Sequence, residues 1–450
     1  MGLRIEEKKE VQLVISRNDV LIRNHIGLRP PPGRQLQSWT YITSLPIRTA
    51  KIKTRGKDEL SARIERKQGF SHVVIDLSRV PHQRAGIQFM LQLLLKPEVL
   101  DRLGSLNIIN WPKEDLSAIF FLRGSGQLFF TSALASIEKV DNQGSIVLKP
   151  PALAKKLDSH GHKGSAIRVE WGHPSTIRFD FIYKVRNEGT NKVNGMQIRT
   201  ALPPTTQFQR VKHQHNHEVE EDEDHNEWGK VSIPPLSPKE SYEVKVTVDV
   251  KSTGNMNNIL PNLGSFQKLR AIFQHNRDVA RFIQESKYWN ISDVIIQKAI
   301  QSLLKNSKTP AEYLRLAFEF VNQKIKYQPN NMRDTAANTI RKLTGVCSEF
   351  SDLLVALLRG GGIPAKIVHG LIIENDQKSL EHHAWVEYFS VEHGWIQCDP
   401  TWGYLSGVCS QHICRQREGL QSDLPTYSFS QERGSKISLT EEIRYRILRT

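Results

Sequence analysis

Near residue 255 the spacing of apolar residues changes from every second position to about every 3.6. This switch alone restricts the chain to a strand-rich first part followed by a helix-bearing last part, the pattern of an α+β protein. Before it, TIRFDFIYKVRN puts Ile177, Phe179 and Phe181 on one face, and SYEVKVTVDV does the same with Tyr242, Val244, Val246 and Val248. Turn signals at Asn187-Glu188-Gly189 and Pro234-Pro235 punctuate these runs, so residues 166–254 are expected to form an immunoglobulin-like β-sandwich. After it, Thr309-Pro310-Ala311-Glu312 reads as a capping box, and Leu314, Ala317, Phe318, Val321 and Ile325 form a buried stripe. Ser292 is expected to cap the helix carrying Ile295, Ile296, Ala299, Ile300 and Leu303. A shorter helix from about Asp334 is expected to bury Ala337, Ile340 and Leu343 before Gly345 stops it.

At 450 residues the chain exceeds one ordinary core, and about 150 residues per domain predicts roughly three. RPPPGRQLQSW and ALPPTTQFQRV align Pro31, Pro32, Gln35 and Gln37 with Pro203, Pro204, Gln207 and Gln209 at one common offset. Residues 1–105 are therefore expected to be a β-rich module, a diverged repeat of 166–254. Residues 106–165 read as a connecting α/β region of unassigned fold, and 255–450 as a catalytic core. No run reaches the roughly 18 apolar residues of a membrane helix, and no signal peptide is legible at the start, so the protein is expected in the cytoplasm without a membrane partner. The net charge of +15 is concentrated in the first 165 residues, but its basic residues are scattered. They read as a solvated β-surface, and no nucleic-acid partner is expected. The acid-rich run 218–224 beside His213, His215, His217 and His225 reads as a solvated hairpin and not as a metal site.

Four cysteines occur, Cys347, Cys398, Cys409 and Cys414, all late in the chain, which fits reduced thiols better than a disulfide framework. Cys347 opens the run CSEFSDLLVALLRGGG, whose Phe350, Leu353, Leu354, Leu357 and Leu358 have core spacing and whose glycines end the helix. A sulfur in the first turn faces unpaired N–H groups and the positive end of the helix dipole, which favour a reactive thiolate. HAWVEYF and GWIQCD read as a hairpin. If its connection is Ser390 to Gly394, Phe389 lies opposite Trp395, and His383 and Asp399 share a face. His382 then points the other way. Cys347, His383 and Asp399 thus supply a nucleophile, a base and an acid to orient the base. Gln328, Asn330 and Asn331 are near enough in sequence to donate to an oxyanion, and none is preferred.

GVCSEF, LLVALLRGGGIPAKIVHGL, HHAWVEYF and WIQCDPTWG together resemble the core of the transglutaminase-like superfamily over about residues 290–420, with QHI at His412 inside that span. The resemblance is to bacterial-type members of the family. It implies a papain-like α+β core preceded by β-sandwich modules, with catalytic Cys347, His383 and Asp399, while Glu349 and Trp385 match the family pattern in structural roles. The implied activity is that of a thiol enzyme acting on amide bonds of a protein or peptide through a cysteinyl thioester, first as a cysteine peptidase or amidase. The alternatives are a protein-glutamine γ-glutamyltransferase and a non-enzymatic binding scaffold. A peptide N-glycanase is disfavoured because its paired metal-binding cysteine motifs are missing. No cofactor or metal is expected.

Overall fold

The computed structural model describes residues 3–14, 19–32, 34–54, 59–80, 86–103, 105–112, 119–123, 127–131, 136–140, 145–149, 166–214, 217–253, 262–330, 332–373, 380–419, 423–430 and 435–448. The chain divides into two compact units, one of residues 1–102, 107–158 and 165–172, the other of 103–106, 159–164 and 173–450.

The first unit is built from strands. Its largest sheet has eight, in the spatial order Ser136–Val140, Ser145–Lys149, Ile119–Arg123, Arg4–Val14, Asp19–Arg29, Ile87–Leu95, Ile47–Thr54 and Glu59–Leu60. IQFMLQLLL alternates buried with half-buried positions along its length, as one covered face of an antiparallel sheet demands. Residues 106–165, expected to connect as an α/β segment, contribute only strands among the described residues, and Ile119–Arg123 runs parallel beside Arg4–Val14. The physical reason is composition: IFFLR, QLFFT and SIVLK are aromatic and β-branched. Ala166–Gly172, placed by sequence in the later sandwich, instead pairs with Gln127–Thr131 and buries Val169 and Trp171 in the first unit. Both Pro-Pro segments join strands of different sheets, but the connectivity is not repeated. The strands flanking Pro31 pair with Ile87–Leu95 and Phe70–Asp76, whereas those flanking Pro203 pair with Glu227–Ile233 and Ser241–Ser252, so the order of partners along the chain is reversed.

In the second unit we label β1 (Thr176–Asn187), β2 (Met196–Leu202), β3 (Gln209–His213), β4 (Glu218–Glu221), β5 (Glu227–Ile233) and β6 (Ser241–Ser252). Beyond the helices Phe266–His275 and Arg277–Ala280, we label α1 (Val294–Lys305), α2 (Pro310–Lys324), α3 (Ala336–Lys342) and α4 (Cys347–Gly360). The later strands are β7 (Ala365–Ile373), β8 (Leu380–Ser390), β9 (Gly394–Cys398), β10 (His412–Glu418), β11 (Tyr427–Ser430) and β12 (Ile437–Leu448). Two four-stranded sheets, β3-β6-β1-β12 and β4-β5-β2-β11, meet through Tyr183, whose hydroxyl contacts Thr200 and whose ring lies 5.8 Å from that of Tyr427. The chain end, expected in the catalytic core, therefore returns to the earlier sheets: β12 pairs with β1 over its whole length, and β11 with β2. An unpaired edge on β1 is a standing liability that β12 removes.

The remaining sheet, β9-β8-β7-β10, packs against α4, which is buried almost throughout. α1 and α2 cover α4, as their apolar stripes require. Three details differ from the sequence reading. Asp293, not Ser292, caps α1 by accepting from the Ile295 N–H at 2.9 Å, because the Ser292 hydroxyl is engaged by Glu285. Leu343 ends α3 in the left-handed region, φ 55°, and is exposed, since the chain must reverse there to lay Thr344–Gly345 beside Lys326–Tyr327. The acid-rich hairpin is not simply solvated: Asp224 is buried and accepts from the Gly419 N–H at 3.0 Å.

The free edge of β10 is met by two carboxamides instead of a strand. Gln209 donates to the Cys414 carbonyl and accepts from its N–H, both at 3.0 Å, and Asn226 does the same for Arg417 at 2.9 and 2.6 Å. A side-chain amide offers one donor and one acceptor, as a strand residue does. Asn226→Ala leaves both backbone groups of Arg417 without these partners. It is expected to cost about 2 kcal/mol or more, read as a lower urea midpoint with an unchanged slope.

Candidate functional site

The segment entering α4 is held from beneath. The buried Glu349 carboxylate accepts from the Val346 N–H at 2.9 Å and the Asp334 N–H at 3.0 Å, tying the chain on either side of α3 to the first turn of α4. Gly345 is required there because a Cβ would lie 2.5 Å from that of Glu349. One turn on, buried Asp352 receives the Trp289 indole N–H at 2.7 Å and two Arg333 N–H groups at 2.8 Å, and Arg333 also reaches Glu418 on β10 at 2.9 Å. These contacts fix α4 against the sheet. Cys347 stands at its first position and is half-buried, whereas Cys398, Cys409 and Cys414 are buried.

β8 and β9 pair with Phe389 opposite Trp395 and Ser390 opposite Gly394, the register that brings His383 and Asp399 to one face. His383 Nε2 lies 2.8 Å from Asp399 Oδ2, both side chains are buried, and the Cys347 sulfur is near enough to act on the charge of the imidazole. All three residues singled out by sequence therefore meet. His382 is exposed, as expected from alternation. Burial opposes charge on His383, but the Asp399 carboxylate and the Cys347 sulfur outweigh it and push the imidazole up to about 10. Burial likewise opposes charge on Asp399, yet His383 and His412 hold its carboxyl well below the usual range. This arrangement can keep a proton on the ring nitrogen beside the sulfur, which is what a thiolate–imidazolium pair needs.

Sequence reasoning assigned His412 no role. Its Nε2 lies 3.1 Å from the same Asp399 oxygen, and only its place in QHI within the family resemblance marked it. Trp385 and Trp402 flank both imidazoles, with Trp402 5.4 Å from His383 and 4.9 Å from His412 between ring centres. His383, Asp399 and His412 offer ligand atoms within 4.8 Å of one another, a spacing a metal ion accepts, but here two imidazoles against one carboxylate already form a complete hydrogen-bonded set. Of the residues considered for an oxyanion, Gln328 spends its backbone N–H on the Gly345 carbonyl, and Asn331 lies outside the described residues.

Two expectations follow directly. Burial raises the thiol of Cys398 well above its ordinary value and that of Cys414 to about 11, so both stay protonated near neutrality. Iodoacetamide at neutral pH is expected to label Cys347 at least about tenfold faster than either, read by peptide mass mapping; equal rates refute thiol activation. At Gly370 an added Cβ would lie 2.2 Å from the Ile413 carbonyl and 2.4 Å from Trp385 Cη2. Gly370→Ala is expected to displace Trp385 toward the imidazoles, to cost about 1–3 kcal/mol of stability, and to slow Cys347 alkylation. A variant with unchanged melting temperature and alkylation contradicts that packing.

Residues 297–400 match the model of the transglutaminase-like superfamily. A protein-glutamine γ-glutamyltransferase of Pseudomonas aeruginosa is 32% identical over 71 residues, 13% of this chain and 10% of that protein. The uncharacterized protein YebA of Bacillus subtilis is 36% identical over 74 residues, 14% of this chain and 10% of that protein. The chain thus spans about a tenth of the length of these curated relatives. Among solved structures, one described as a cysteine protease from Cytophaga hutchinsonii is 15% identical, with a TM-score of 0.45, covering 62% of this chain and 92% of that one. No helix among the described residues is long and apolar enough to cross a membrane.

Proposed function

We propose that residues 297–400, a segment of the transglutaminase-like superfamily, carry a thiol enzyme that acts on amide bonds, with Cys347 as nucleophile, His383 as base and Asp399 as the group that orients His383. The observation that carries this reading is one imidazole near a half-buried sulfur at a helix start and hydrogen-bonded, through Nε2, to a buried carboxylate 2.8 Å away. The Cys347 thiolate adds to the carbonyl of a carboxamide or peptide. The imidazolium returns its proton to the departing nitrogen, and ammonia or an amine leaves a thioester on Cys347. His383 then deprotonates water, whose attack releases the acid and restores the thiol. In this reading the backbone N–H of Cys347 stabilises the developing oxyanion. Hydrolysis of a protein or peptide substrate, as by a cysteine peptidase or amidase, is the reading we favour. In it the two facing sheets of residues 176–252 with β11 and β12 form an immunoglobulin-like sandwich beside the catalytic core.

The name of the Pseudomonas relative favours a second reading, in which a lysine amine takes the place of water at the thioester. One assay separates the two. The protein is incubated with a glutamine-containing protein and a labelled primary amine, and ammonia, chain cleavage and incorporated label are followed. Ammonia or cleavage without label supports hydrolysis, and label in the protein supports transfer. If no product forms with any of a panel of amide substrates while Cys347 alkylates no faster than a free thiol, the enzymatic reading is refuted.

A further inference from the structure

Asp399 is fully buried and carries its charge there, so each of its lone pairs must find a donor. Oδ1 takes the Thr401 and Trp402 backbone N–H groups at 2.8 and 3.0 Å. Oδ2 takes two rings, His383 at 2.8 Å and His412 at 3.1 Å, whose centres lie 5.6 Å apart at 69°. Since the carboxylate only accepts, His412 carries its hydrogen on Nε2. Its other nitrogen, Nδ1, faces Cys409 Sγ at 3.1 Å. With Asp399 on one side and Cys409 on the other, both nitrogens of the His412 ring are engaged. Trp385, Trp402 and Tyr404 pack around the ring at 5.1, 4.9 and 6.2 Å and leave it one orientation.

We propose that His412 is a positioning residue: a second imidazole that clamps Asp399 Oδ2 and keeps the carboxylate aligned on His383, with Cys409 holding its other nitrogen. The proposal rests on the triad read above. Without the His412 N–H, Oδ2 keeps a single donor and the carboxylate can turn about the bond that carries it, which weakens its hold on His383, the ring that takes the Cys347 proton. Groups that orient a reacting side chain in this way are typically worth about 10- to 100-fold.

Two polar replacements of similar size make the test. Glutamine places its amide N–H where Nε2 stands and can reach Asp399, whereas asparagine places it at Nδ1, toward Cys409, and cannot. Cys347 alkylation by iodoacetamide is followed against pH in the full chain, a readout that needs no substrate. We expect His412→Asn to slow alkylation at neutral pH by about 10-fold or more and to move the rate profile, with His412→Gln close to the parent. Asn and Gln variants that both keep the parent profile overturn the proposal, as does equal slowing in both with the profile unmoved, the mark of a merely structural residue. Should the Asn variant fail to fold, Cys409→Ala, which releases Nδ1 but keeps the ring, is expected to move the profile the same way to a smaller extent, and an unmoved profile there counts against the proposal. Asp399→Asn is run alongside: if it too leaves the alkylation profile unchanged, the triad reading itself fails, whereas a response to Asp399→Asn without one to His412→Asn removes only the role of His412.

Discussion

Asp399→Asn is expected to reduce turnover by about 10⁴-fold while the chain stays folded, the size of effect seen when a carboxylate that orients a catalytic imidazole becomes an amide. The carboxamide nitrogen can face His383 only if the ring changes tautomer, and the charge that raises the imidazole is lost in either case. The same substitution tests the electrostatics by stability. His383 has its folded value raised to about 10, against about 6.5 unfolded, so its contribution is complete below about 6.5 and is lost as pH rises through about 10. Asp399 is held below its ordinary value, so its contribution is present above about 4 and is lost as acid protonates the carboxyl. The pair therefore stabilises most between about pH 4 and 6.5. Melting temperature against pH should show both limbs in the parent, and Asp399→Asn should flatten them. A variant that retains turnover and both limbs would mean that another group orients His383.

Arg333→Ala is the second large effect, and it acts on stability. Arg333 is the charged partner of Asp352, with two N–H bonds at 2.8 Å, and it also pairs with Glu418 at 2.9 Å and stacks 4.2 Å over the Tyr288 ring. Burial pushes Asp352 toward its neutral form, and Arg333 is the main influence opposing it. Breaking one side of a buried pair leaves the other charge uncompensated, so we expect a loss of about 3–5 kcal/mol, read as a lower denaturant midpoint. Removing both charges, with Arg333→Met and Asp352→Leu together, should recover part of that loss, because the uncompensated carboxylate goes with its partner. A double variant less stable than Arg333→Ala would contradict this account. Alkylation of Cys347 should slow as well, since Asp352 and Arg333 hold the first turns of α4 to β10.

The segment proposed as catalytic was legible because it is written in short-range signals. A glycine stop, an apolar stripe at helical spacing and three closing glycines place Cys347 at a helix start, which is where α4 begins. The five-residue connection from Ser390 to Gly394 sets the register of β8 and β9, and a period of two then puts His383 and Asp399 on one face. His412 did not stand out, because its role comes from a bond to Asp399 across a loop and not from any period of its own strand. The acid-rich hairpin exposes Glu218, Glu221 and Glu223, as read, and only its end departs: Asp224 is buried where the Gly419 N–H and Arg281, both on other elements, meet it.

By itself the sequence determined the two periodicities, the helix that carries the thiol and the face shared by the imidazole and its acid, since these depend on neighbours a few residues apart. Only the tertiary structure decided that the last strand closes the edge of β1, that Gln209 and Asn226 stand in for a strand beside β10, and that a second imidazole meets Asp399. The carboxamide pairings join residues 205 and 191 apart, and the second imidazole, 13 residues from Asp399, reaches it across a loop and not through a strand register. Donors and acceptors are common in any polar sequence, and which of them meet is set by the packing that removes them from water together.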